Sequence, residues 1–117
     1  MSLVFSCALD ELPDGTARGF EWEGGGYARC GFLVRQGDQV HAYRNECPHA
    51  GNRLEWKPDA FLTKDRSLIM CSVHGANFRI HDGLCVAGPC MGRVLTPLAA
   101  RVLDGRVEVS LAEATDA

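Results

Sequence analysis

Two short segments each pair a thiol with an imidazole: Cys47-Pro48-His49 and Cys71-Ser72-Val73-His74. Thiolate and neutral imidazole are the ligands of choice for zinc and for iron–sulfur centres, so two such pairs offer a four-ligand metal site built from two loops. The tight Cys-x-His spacing needs a turn, and Pro48 and Gly51 supply one. Gly75, directly after His74, lets the backbone approach whatever is bound. Ligand type alone leaves three readings: a mononuclear zinc ion, a [2Fe–2S] centre with two Cys on one iron and two His on the other, or residues that are simply buried. The pairing of the two motifs and their shared flanking glycines favour a metal over simple burial.

Positioning such loops calls for strands. Val4 to Leu9 is a mixed apolar stretch, and Ala17 to Glu23 alternates apolar and charged residues with period two, the pattern of a strand with one wet face. Gly24-Gly25-Gly26 breaks the chain, Tyr27 to Val34 resumes it, and Gln36-Gly37-Asp38-Gln39 turns it back through Val40 to Arg44, a hairpin aimed at Cys47. Asp82-Gly83 sits between Phe78-Arg79-Ile80 and Leu84-Cys85-Val86. Asp104-Gly105 sits between Ala99 to Leu103 and Arg106 to Ser110, and both dipeptides signal short hairpins. No window of a dozen residues has a capped helical period, so the expectation is one all-β domain over residues 1–117, its chemistry within about 45–92.

Composition narrows the function classes. The net charge is −3, and no Lys or Arg run is interleaved with aromatics, so nucleic acid is not expected as a partner. No apolar run approaches the roughly 20 residues of a membrane span. The first residues lack the basic start of a secretory leader, which predicts a cytoplasmic protein and makes six cysteines read as reduced thiols or ligands rather than disulfides. Cys7 and Cys30 are expected as small buried hydrophobes, and Cys85 and Cys90 as packing residues near the metal. His81 is expected to be exposed, His41 a solvated strand residue, and Trp56 and Phe61 a small core of their own.

Asn45-Glu46-Cys47-Pro48-His49-Ala50-Gly51 and Cys71-Ser72-Val73-His74-Gly75-Ala76 together resemble the two cluster-binding loops of the Rieske iron–sulfur family. Gly37 to Tyr43 looks like the hairpin leading into the first loop, Phe78 to Gly83 like the strand and turn after the second, and Gly88-Pro89 like the proline loop that covers the cluster. Pro97, Val102, Asp104-Gly105 and Val107 resemble the closing hairpin. The resemblance implies a Rieske fold: an antiparallel sandwich or barrel-like base carrying a smaller cluster-binding β subdomain. It also implies one [2Fe–2S] cluster, with Cys47 and Cys71 on the inner iron and His49 and His74 on the outer.

Departures from the family pattern sharpen the expectation. The long connection from Ala50 to Met70 carries an apparent insert, Glu55 to Phe61 and Lys64 to Arg66, expected as a surface hairpin. Respiratory and photosynthetic relatives join the loops by a disulfide at positions matching Asn52 and Val73, and place a Ser donor where this chain has Ala76. With neutral imidazoles the oxidised two-thiolate cluster is uncharged, so it accepts an electron more readily than a four-thiolate one, in a range of about −150 to +300 mV. Without the disulfide and the Ser donor, the low end of that range is expected. The resemblance thus implies an electron carrier rather than an enzyme, a ferredoxin passing electrons from a reductase to a terminal oxygenase or similar enzyme. Alternatives are a small Rieske subunit of a nitrite reductase-type enzyme, or a non-redox zinc module.

Overall fold

The computed structural model describes residues 3–24, 26–48 and 51–111. Nine strands follow in order: β1 (Leu3–Ala8), β2 (Ala17–Gly24), β3 (Tyr27–Gln36), β4 (Gln39–Arg44), β5 (Leu68–Met70), β6 (Asn77–Arg79), β7 (Cys85–Ala87), β8 (Pro97–Leu103) and β9 (Arg106–Ser110). A 3-10 turn, Leu9–Glu11, follows β1, with the Ala8 N–H donating to the Glu11 carboxylate at 2.8 Å. The all-β expectation is met. Among the described residues no helix is long and apolar enough to cross a membrane.

Six strands form one antiparallel sheet in the order β1-β9-β8-β4-β3-β2, and β5-β6-β7 form a second. The large sheet curls until its edges meet: the Phe5 ring of β1 stacks on Phe20 of β2 at 4.8 Å, and the Arg18 guanidinium lies 5.1 Å from the centre of Phe5. The result is a nearly closed barrel, which hides the sheet edges that would otherwise be open to pairing.

Period two explains how β3 and β4 serve two cores at once. Phe32, Val34 and Tyr43 point to the side shared with the small sheet, where they pack with Phe61, Ile69, Phe78 and Leu95. Leu33, Val40 and Ala42 point the other way, into the barrel, with Phe20, Leu98, Val107 and Val109. A strand covered on both faces reads as a continuous apolar run, which is why Phe32-Leu33-Val34 does not alternate. β2, by contrast, keeps its wet face, with Phe20 buried and Glu21 and Glu23 exposed.

The insert corrects the expectation of a single surface hairpin. Only its second half pairs: Leu62 bridges Ile69, the Thr63 N–H donates to the Leu68 carbonyl at 2.8 Å, and the Met70 N–H to the Phe61 carbonyl at 2.8 Å. Asp65 closes that turn, accepting from the Thr63 hydroxyl at 2.7 Å and the Ser67 N–H at 3.0 Å. Residues 55–60 are an irregular loop laid on the barrel, fastened where the Gly19 N–H donates to Asp59 at 2.8 Å. Phe61 is fully buried and stacks on Phe32 at 4.4 Å, but Trp56 is 62% exposed with the Lys57 ammonium 4.5 Å from its ring. The two aromatics therefore do not share a core; a ring held against β3 gains apolar burial that the tip of the loop does not offer.

Two further expectations change. Cys30 is only half-buried, because the loop beside it leaves an open groove over β3. His41 is half-buried rather than solvated, and burial first, then the nearby His81, lowers its pKa.

Candidate metal centre

Both motif loops are hung on the same hydrogen-bond frame. In the first, the Cys47 N–H donates to the Asn52 carbonyl at 2.8 Å and the Gly51 N–H to the Cys47 carbonyl at 2.7 Å. In the second, the Cys71 N–H donates to the Ala76 carbonyl at 2.8 Å and the Gly75 N–H to the Cys71 carbonyl at 2.9 Å. Gly51 and Gly75 adopt left-handed φ values of 77° and 73°, so the sequence needs glycine at the same step of each frame.

Different elements hold the two frames. The second loop closes the β5–β6 hairpin, one step beyond the Met70–Asn77 pair. The first leaves the end of β4, where the Asn45 N–H donates to the Cys30 carbonyl at 3.0 Å. The buried Asn45 side chain then spans the loop's base, accepting from the Leu54 N–H at 2.8 Å and donating to Glu55 at 2.8 Å. The Ser72 N–H donates to the Leu54 carbonyl at 2.9 Å, which ties one loop to the other.

The described motif residues divide by depth. Cys47 and Cys71 are buried, and their thiols interact with each other. His74 is exposed on the rim, and the Val73 side chain beside it is 53% exposed. His49 lies outside the described residues. Among the described residues no three His, Cys, Asp or Glu side chains meet as a ready-made cage for one ion.

Electrostatics favours a cation at the Cys71 sulfur. Burial by itself pushes the Cys71 thiol up, but the Val73 N–H, the Asn52 amide, the Cys47 thiol and the His74 N–H all act on its sulfur, and the net shift is downward. A buried sulfur that favours the thiolate suits a metal ligand. An imidazole on the outer rim suits a second metal nearer the surface.

The loop after β7 covers the site. Gly88 has φ 100°, and a Cβ there would lie 2.7 Å from the Ala76 Cα, so the chain crosses directly over the end of the second loop. Arg93 reaches back to donate to the Pro48 carbonyl at 3.1 Å. Beneath this cover the Cys90 thiol donates to Cys85 Sγ at 3.4 Å, and the Cys85 thiol to the Ala87 carbonyl at 3.2 Å. Burial first, then Cys85 and Cys47, push the Cys90 thiol up to about 12, so it stays protonated. The packing role expected for Cys85 and Cys90 is thus met, with Cys90 against Cys47 itself. The side-chain contacts of Asn45, Asn52 and Arg93 carry no signal in the sequence, because each reaches a residue that only the fold brings close.

The pattern of the Rieske [2Fe-2S] domain family matches residues 2–103. The chain is 26% identical over 114 residues to the 3-phenylpropionate/cinnamic acid dioxygenase ferredoxin subunit of Photorhabdus laumondii, covering 97% of this chain and 98% of that one. It is similar to the ferredoxin of carbazole 1,9a-dioxygenase from Nocardioides aromaticivorans IC177, with a TM-score of 0.74, 25% identity, and 95% and 99% of the two chains covered. It also matches a chain in a complex of reduced oxygenase and oxidized ferredoxin in carbazole 1,9a-dioxygenase, with a TM-score of 0.71, 27% identity, and 89% and 97% covered. With twin loops that bury two thiols beneath a covering loop, and a family match over most of its length, this chain belongs to the Rieske [2Fe–2S] domain family and is an electron-transfer protein binding one [2Fe–2S] cluster.

Proposed function

We propose that Cys47 and Cys71 hold the inner iron, that His49 and His74 hold the outer one, and that the chain is the ferredoxin component of an oxygenase system. The observation that carries this reading is the division by depth: two buried thiols below, with donors converging on Cys71, and an exposed imidazole above. The bound cluster supplies one-electron redox chemistry, and the residues around it decide who can reach it. Gly88, lying on Ala76, and Arg93, holding the Pro48 carbonyl, keep the covering loop closed against water. His74 on the rim shortens the path to a partner. Val73 beside His74 and Met91 of the covering loop are 53% and 67% exposed, and electron-transfer interfaces are small enough for a few such side chains to matter.

The relatives are ferredoxins, electron carriers rather than catalysts, and this chain is likewise a carrier. Its partners on this reading are a reductase that loads it and a terminal oxygenase that unloads it. The solved complex of reduced oxygenase and oxidized ferredoxin supports an oxygenase as one partner. The domain reading of residues 1–117, with ligands within 45–92, rests on the continuity of β3 and β4 through both cores. A cytoplasmic location is supported by six cysteines of which none is in a disulfide.

A visible and electron paramagnetic resonance spectrum tests the ligand set. The protein is expected brown, with a reduced signal of average g below 2. Cys71→Ser and His74→Ala are expected to abolish that signal, while a colourless protein holding one zinc ion would overturn the reading.

A further inference from the structure

The two loop frames are alike in backbone but carry different side chains at the position that closes each. Asn52 and Ala76 each stand five residues after a cysteine and each accept that cysteine's N–H. Ala76 offers its sulfurs no donor. Asn52 does: its amide nitrogen lies 3.4 Å from Cys71 Sγ, on the opposite loop.

The orientation of that amide is fixed by its surroundings. The same nitrogen donates to the Arg53 carbonyl at 2.7 Å, so both neighbours of the NH2 group are acceptors and a flipped amide would set oxygen against oxygen and sulfur. The other end has a cost. Asn52 Oδ1 is buried with no hydrogen-bond partner among the described residues, a loss that an apolar side chain would avoid. Its acceptor is wasted, and what it contributes is a donor. Cys71 is fully buried, so this donor acts in a low-dielectric setting where a hydrogen bond to a charged sulfur counts for more.

We propose that Asn52 is a positioning and potential-setting residue for the cluster: its amide donates to Cys71 Sγ and favours the reduced state, replacing part of the donor set that Ala76 lacks. The inference rests on Cys71 being an iron ligand. Reduction places extra negative charge on the cluster and its thiolates, which strengthens an N–H···S bond, so losing the bond penalises the reduced form. The Ala76 position alone points to the low end of the family range; the Asn52 amide moves the expectation up from there, and biases it toward one of the two cysteines.

The test compares Asn52→Leu with the native protein in the cluster-loaded state. Leucine keeps the four branched side-chain heavy atoms and removes the donor. The expected result is an unchanged visible spectrum, stability equal or higher because the orphan Oδ1 is gone, and a midpoint potential lowered by roughly a tenfold change in the redox ratio, about 59 mV. An unchanged potential in an intact cluster overturns the proposal, as does a loss of stability with no change in potential, which marks a structural role only. If the variant does not load, native protein grown with side-chain 15N-asparagine decides: hyperfine coupling of that nitrogen to the reduced cluster's spin supports the bond, and its absence overturns it. A Cys71→Ser protein that keeps the native signal would overturn the ligand reading instead, so the two failures are told apart.

Discussion

The six-stranded barrel and the three-stranded sheet are stabilised by different means. The barrel has strands of five to ten residues, long ladders such as Ala17–Val34 through Gly24–Tyr27, and an interior made of Phe20, Leu33, Val107, Val109 and their neighbours. The small sheet has three strands of three residues each, and its interior mixes apolar side chains with the thiols of Cys47, Cys71, Cys85 and Cys90. Sheets that short are marginal in water unless they pack on something. Here they pack on β3 and β4 through Phe32, Val34, Tyr43 and Phe61, and on the proposed reading the cluster completes the rest. One part is an ordinary hydrophobic fold, and the other, on that reading, is completed by its cluster.

The strongest way to break that contrast is to remove the iron. Chelation under reducing conditions is expected to strip amide-exchange protection from residues 68–87 while β2, β3 and β4 keep theirs, because metal-binding free energy is folding free energy where the ligands sit. A single loss of protection across both sheets would show that they are one cooperative unit.

Next in size is the seam between them. Phe61→Ala removes a fully buried ring stacked on Phe32 and is expected to cost about 3–5 kcal/mol, read by denaturant titration of the loaded protein. A smaller loss would mean the loop collapses onto β3 and the seam is soft.

Tyr43 tests the same seam through pH. Its hydroxyl donates to the Ile80 carbonyl at 2.6 Å, and burial first, then the Asp82 charge, push its pKa up to about 12. The fold favours the neutral phenol, so this contribution is intact below about pH 10, the unfolded value, and is lost as pH rises toward 12. At about 1.4 kcal/mol per unit the loss is about 2–3 kcal/mol. Tyr43→Phe is expected to be less stable at neutral pH, with the Ile80 carbonyl left unpaired, yet flatter between pH 10 and 12.

The smallest effect is expected on the outer loop. Trp56→Ala changes a side chain that is 62% exposed, and stability should stay within about 0.5 kcal/mol of native. A large change would show that the loop over the barrel supports the fold after all.

Legibility in the sequence followed the range of the interaction. The hairpins at Gly37-Asp38, Asp82-Gly83 and Asp104-Gly105 were readable because turn chemistry is local, and each is where the structure has it. The two Cys/His motifs were readable because residue type and spacing are local too. Cys30 and Trp56 were misread because burial depends on what lies over a residue, and the loop at 55–60 covers neither. Phe61 was correctly placed in a core but in the wrong one, since its partner Phe32 is distant in sequence.

By itself the sequence determined that this is a chain of short antiparallel strands with two motifs that each pair a thiol with an imidazole, because turn residues, period-two burial and residue spacing act over a few residues. Only the tertiary structure decided that Cys71 takes a donor from Asn52 while Ala76 gives none, that Cys90 lies against Cys47, and that Gly88 closes over Ala76. Those contacts join segments far apart in the chain. Their energies depend on burial that no local pattern encodes, and the two loops, alike in backbone, differ in the side chains that the fold lays across them.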